Sequence, residues 1–208
     1  MTRKAIQKPK PNPNFTELSD GFFDLVTPIG VDEAGRGSLA GPVVAAAVIL
    51  PRGVVIDGVR DSKVLSPKRR EVLAAVIREK AVAFSFGYSD SLEIDKINIL
   101  QATMKAMAQA VEGVSHAGTD LFALIDGNRA PELRIPSECI VDGDSVCYLI
   151  AAASILAKVE RDALMVRLAE EYPEYGFASH KGYGTVAHRA ALKEYGPCAI
   201  HRMSFKLG

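Results

Sequence analysis

The run Val146–Ala157 is the feature that most limits how this chain can fold. A helix that is apolar nearly all round has no face to give to water and must be buried. The run is too short to span a bilayer, which takes about 20 residues. The same holds for Val43–Leu50. Both are therefore read as core elements. A helix buried on all sides needs a sheet on one side and further helices on the other.

Other segments supply such partners. Ile29–Ala34 and Val43–Leu50 read as two strands joined by a glycine-rich loop, and Ala81–Tyr88 as a third. Ser66-Pro67 is a helix start, with Ser at the N-cap and Pro in the first turn. Between Asp95 and Val111, Ile99, Leu100, Met104, Met107 and Val111 fall on one helical stripe, and its methionines are read as core filler. Leu121–Ile125 and Glu138–Val141 are short strands. A long helix is expected from Asp144 to Glu171, ended by Pro173, and a shorter one over Val186–Tyr195. This order predicts an α/β fold: a mixed sheet flanked by helices. Residues 1–25 are expected to form a flexible, basic, Pro-rich arm, and residues 26–208 one catalytic domain.

Net formal charge is zero, although nucleic-acid binders are usually basic. The charge is unevenly spread, however. Arg3, Lys4, Lys8 and Lys10 open the chain, and Lys181, Arg189, Lys193, Arg202 and Lys206 close it. Cys139, Cys147 and Cys198 are an odd set without C-x-x-C spacing, which favours a reducing cytoplasm over a disulfide framework or zinc knuckle. No secretory signal is visible, and no membrane span is expected.

Four carboxylates stand where apolar segments break into glycine turns: Asp32 and Glu33 in VDEAGRG, Asp126 in LIDGN and Asp144 in VDGDS. Ligands of such sheets sit beyond strand ends, where these acids can converge. Neighbours on a strand point to opposite faces, so Asp32 and Glu33 share a site only if the strand ends there, as Gly35 and Gly37 allow. Taken singly, Asp126-Gly127 also suits a plain turn and Asp144 a plain N-cap. Brought to ~4 Å, each carboxylate pair repels by roughly 4 kcal/mol at an effective dielectric of about 20. A cluster therefore calls for cations, and all-oxygen ligands favour Mg²⁺ or Mn²⁺ over zinc. Two such ions serve phosphodiester hydrolysis.

The series Asp32–Gly37, Leu39–Val44, Asp61–Ser66, Ile125–Asn128, Gly143–Ser145, Ala151–Val159, Arg161-Asp162 and His180–Thr185 resembles, in order, the signature of ribonuclease HII. The resemblance implies a ribonuclease H-like five-stranded mixed sheet with a small C-terminal helical extension. It implies cleavage 5′ to a ribonucleotide in RNA–DNA hybrids or ribonucleotide-containing duplex DNA, leaving 3′-hydroxyl and 5′-phosphate ends. Asp32, Glu33, Asp126 and Asp144 fall on the family's metal-binding and catalytic acids. Gly35-Arg36-Gly37 falls on the segment that senses the 2′-hydroxyl, Tyr183 on a tyrosine that packs against the sugar, and Ser62 and Lys63 on a substrate-contacting stretch. Asp142, Val146 and Val64 depart from the family pattern, which bears on phosphate contacts and leaves the metal site in place. A monomer is expected.

The residue types suit that chemistry. Glycines let backbone N–H groups approach a nucleotide, and the 2′-hydroxyl is what separates RNA from DNA at a given site. Arg36 and Lys63 offer charge for phosphate. Two rivals are weaker. G-R-G-S-L-A-G lacks the spacing of a dinucleotide or P-loop fingerprint. A histidine-type ribonuclease would leave a cyclic phosphate.

Overall fold

The computed structural model describes residues 26–207; the arm expected over residues 1–25 lies outside the described residues. Five strands form one mixed sheet. They are β1 (Thr27–Ala34), β2 (Val43–Ile49), β3 (Ala83–Ser89), β4 (Leu121–Asp126) and β5 (Ser137–Ile140). Their order is β3-β2-β1-β4-β5, with β1, β2 and β3 antiparallel and β1, β4 and β5 parallel.

Strand β2 reads VVAAAVI and is buried throughout. Its residues alternate between two cores, as a period of two requires. Ala46 and Val48 face the apolar half of helix α4 (Tyr148–Glu171) and helix α1 (Pro67–Lys80). Val43, Ala45, Ala47 and Ile49 face helix α2 (Ser91–Val114). Helix α4 is therefore buried over most of Leu149–Ala157, between the sheet and α1. A third, smaller core gathers Ala40, Met165, Tyr175, Phe177 and Ala191 at the C-terminal end. Among the described residues, no helix is long and apolar enough to cross a membrane.

The sheet and α4 approach closely at Gly30. A Cβ there would lie 2.2 Å from the Leu149 carbonyl carbon. Backbone cannot yield as a flexible side chain would, so Gly30→Ala should cost about 3 kcal/mol. Thermal denaturation should show this as a Tm lowered by about 6–12 °C; an unchanged Tm would mean that the two layers are not locked there.

Helix α1 begins as expected, with Ser66 Oγ accepting from the Arg69 N–H at 3.3 Å. Two helices differ from expectation. Helix α2 starts at Ser91, where Asp90 caps it through the Glu93 N–H at 2.8 Å, and it kinks at Asn98 (φ 67°). The Asn98 side chain accepts from the N–H groups of Leu100 (3.0 Å) and Gln101 (3.1 Å), so it restarts the helix as a cap would. The long helix expected from Asp144 is broken at Cys147, which is extended (φ −114°, ψ 116°). A separate turn, α3 (Gly143–Val146), precedes it. The Gly143 N–H is held by Asp126 Oδ1 at 2.7 Å, and this tertiary bond folds the turn back toward β4. Two short helices, α5 (Phe177–His180) and α6 (Val186–Tyr195), complete the C-terminal extension.

Candidate metal centre

Strands β1 and β4 run parallel and pair in register from Thr27↔Leu121 to Val31↔Ile125. Asp32 and Asp126 each follow that last pair, so adjacent strands deliver two carboxylates to one edge. Glu33 joins them: Asp32, Glu33 and Asp126 each offer an oxygen, and these atoms lie within 4.8 Å of one another. The two acids were expected to share a site only if the strand ended there, yet β1 continues through both, pairing Asp32 with Ala46 and Glu33 with Ala45. Asp32 Oδ1 accepts from the Glu33 N–H at 2.6 Å, which turns the buried Asp32 side chain toward its neighbour.

All three carboxyls hold protons more tightly than free carboxyls do. Burial is the largest cause for Asp32, and the charges of Glu33 and Asp126 add to it. Burial and the Asp126 charge raise Glu33 against the pull of Arg36. Burial and Asp144 raise Asp126 against the Gly143 N–H. Such a set of close, mutually repelling oxygens fits hard divalent cations.

The fourth acid, Asp144, is buried and close enough to perturb Asp126. It stands outside the three-acid group, and its Oδ2 accepts from Lys63 Nζ at 2.7 Å. It does not cap α3, whose N-cap is Asp142 in a left-handed conformation. Lys63 is thus placed on a carboxylate, and this neighbour lifts its pKa to about 12. Its partner in sequence, Ser62, is turned inward. The Ser62 hydroxyl meets Ser154 Oγ at 2.7 Å, and Ser154 in turn favours the Asp32 carboxylate.

Beside the acids, Gly35-Arg36-Gly37 turns the chain from β1 toward β2. Gly35 has φ +96°, and a Cβ there would strike Arg161 Nε at 1.9 Å, so both backbone and packing require glycine. Gly37 is exposed, and a Cβ there would meet nothing within 4 Å. Arg36 is exposed and reaches Glu33 Oε1 at 3.5 Å. Tyr183, 37% exposed, holds its ring centroid 5.4 Å from both Lys158 Nζ and the Arg161 guanidinium carbon.

The sequence reading does not single out Arg161 or Arg202 as site residues. Both are fully buried. Among the described residues neither makes an ion pair with a carboxylate. Their donors go to loop carbonyls and to Ser38 Oγ. Arg161 does carry a signal: Ile150, Ser154, Ala157, Arg161 and Met165 recur at helical spacing and all are buried. Arg202 lies in an irregular segment, where no periodicity marks it.

Comparisons with known proteins identify the family and the fold. The sequence profile of the ribonuclease HII family matches residues 29–208. Ribonuclease HII of Burkholderia cenocepacia is 54% identical over 189 residues, covering 89% of this chain and 87% of that protein. The Geotalea uraniireducens ribonuclease HII is 56% identical over 177 residues, covering 85% and 81%. Among solved structures, ribonuclease HII of Archaeoglobus fulgidus, determined in complex with PCNA, superposes with a TM-score of 0.71 at 28% identity, covering 88% of this chain and 96% of that one. The sheet is the ribonuclease H-like one that the sequence led us to expect. With a matching profile over nearly all of the described residues and relatives above half identity, this chain belongs to the ribonuclease HII family of RNA–DNA hybrid endonucleases.

Proposed function

We propose that residues 26–208 hydrolyse the phosphodiester 5′ to a ribonucleotide, in RNA–DNA hybrids or in duplex DNA with an embedded ribonucleotide, leaving 3′-hydroxyl and 5′-phosphate ends. The observation that carries this reading is the convergence of Asp32, Glu33 and Asp126 next to the open turn at Gly37. These three acids would hold Mg²⁺ or Mn²⁺, with Asp144 joining once Lys63 releases it. When bound, a pair of such ions supplies positive charge that activates a water and stabilises the leaving oxygen. The protein's own groups bind and orient. The exposed backbone at Gly37 offers room and N–H donors to a sugar, and Tyr183 offers a ring face. Arg36 and the freed Lys63 meet phosphate. A site built to hydrogen-bond the 2′-hydroxyl is left unpaired by plain DNA, and such sites discriminate by roughly 10⁴–10⁵. The enzyme is further proposed to act as a cytoplasmic monomer.

The test is a DNA duplex carrying one ribonucleotide, incubated with Mg²⁺, Mn²⁺ or chelator. Cleavage is expected with either ion and not with chelator, and the new ends should be a 3′-hydroxyl and a 5′-phosphate. A 2′,3′-cyclic phosphate, which needs attack by the 2′-hydroxyl, or cutting in chelator, would overturn the proposal.

A further inference from the structure

The Gly35–Gly37 turn, which follows Asp32 and Glu33, and the loop carrying Tyr183, which bonds Leu39 just beyond that turn, form two walls. They are far apart in sequence and are joined from beneath. Arg161 reaches both, donating to Pro42 O (3.0 Å), Ser38 Oγ (2.8 Å) and Ala40 O (3.2 Å) on one side and to Lys181 O (3.0 Å) on the other. Arg202 holds the turn itself, donating to Gly35 O and Arg36 O at 2.8 Å each and to Gly41 O at 2.9 Å. The neighbour of Arg202 reaches the second wall. His201 Nδ1 accepts from the Cys198 N–H at 2.9 Å, so its Nε2 carries the proton and donates to His188 Nε2 at 3.0 Å. His188 then carries its proton on Nδ1 and donates to Tyr183 O at 3.0 Å. The main chain ties the same pieces together through Leu39 N–H to Gly182 O (2.8 Å) and Arg202 N–H to Leu39 O (2.9 Å).

Two buried guanidiniums that make no ion pair with a carboxylate among the described residues are a costly way to fill a core, since apolar side chains fill volume without desolvating a charge. What they provide is many-point fixation of carbonyls, which a planar five-donor group does well. We propose that Arg161, Arg202 and the His201–His188 pair form an internal clamp that sets the spacing between the Gly35–Gly37 turn and Tyr183. Through that spacing these four positioning residues hold the ribonucleotide for attack. This rests on the functional reading above, in which the two walls bracket the sugar.

The test compares the full-length wild type with Arg202→Lys, His188→Asn and His188→Gln on duplex DNA carrying one ribonucleotide. Lysine keeps the charge of Arg202 but cannot reach three carbonyls from one nitrogen. Asparagine places an N–H where Nδ1 stood and keeps the bond to Tyr183 O. Glutamine places its amide toward His201 and loses that bond. Small misplacements near a reacting group can cost rates of order 10²-fold. Arg202→Lys and His188→Gln should therefore lower kcat by about tenfold or more, with KM within about threefold. Mn²⁺ affinity, read by electron paramagnetic resonance, should stay unchanged. His188→Asn keeps the bond to Tyr183 O but breaks the link to His201, so it should lower kcat likewise. A folded Arg202→Lys enzyme with wild-type kcat, or wild-type kcat in either His188 variant, would overturn the clamp. If Arg202→Lys fails to fold, the His188 pair decides alone. A wild type that does not cut at the ribonucleotide overturns the functional reading first, whereas a cutting wild type with indifferent variants overturns the clamp only.

Discussion

Replacing Asp126 by Asn is expected to slow cleavage at a single ribonucleotide by about 10³-fold or more, a loss of roughly 4 kcal/mol of transition-state stabilisation. The fold should survive. Asn keeps an acceptor for the Gly143 N–H now bound by Asp126 Oδ1 at 2.7 Å, so the turn that carries Asp144 stays docked. Without metal the variant should even be slightly more stable than the wild type. The Asp126 carboxyl is raised by burial and by Asp144, and removing a charge from a crowded site relieves repulsion. The informative result is thus a pair: cleavage lost in a single-turnover assay, and Tm in chelator held or raised. An Asp126→Asn enzyme that cuts at the wild-type rate would remove this residue from the catalytic set.

Saturating Mn²⁺ or Mg²⁺ should stabilise the protein strongly at neutral pH and much less in acid. An ion at about 100 times its dissociation constant contributes about 2.7 kcal/mol, or roughly 5–10 °C in Tm for a chain of this size. The pH dependence follows from the raised pKa values of Asp32, Glu33 and Asp126. In the metal-free protein each carboxyl binds its proton more tightly folded than unfolded. Protonation therefore favours the folded state fully below the unfolded pKa values, near 4, and that contribution is lost as pH rises through the raised folded values. Cations replace those protons, so the Tm gain on adding metal should grow from about pH 5 to about pH 7.5. Calorimetry with metal and with chelator at both pH values measures it. A gain independent of pH would mean that these carboxyls do not hold the ion.

The core was the most legible part of the chain. VVAAAVI has the composition of a strand buried on both faces, and Ser66-Pro67 carries its own start signal. The breaks were not legible. Nothing in the apolar run through Val146–Ala157 marks Cys147 as extended, because the bond that bends the chain comes from Asp126, 17 positions before Gly143. Asn98 was hidden for a different reason: its side chain mimics a cap within a stripe whose periodicity continues. At the site, Asp32 and Glu33 stood out by their adjacency to the glycine turn. Asp126 and Asp144 were ambiguous singly and became readable only as members of a set. Lys63 was expected on phosphate and is found on Asp144, since an uncompensated acid draws the nearest cation. Arg161 and Arg202 bind carbonyls supplied by loops distant in sequence, and no local pattern encodes such a partner.

The parallel register of β1 and β4 has a consequence for how this site can vary. Neighbouring strands sit about 4.8 Å apart whatever side chains they carry. The gap between the first and third acids is therefore inherited from main-chain pairing, one step past Val31↔Ile125. Side-chain substitutions in the surrounding layers can drift without retuning it. Inserting or deleting one residue within either strand would carry an acid to the opposite face of the sheet, so sequence length there is held more tightly than sequence identity.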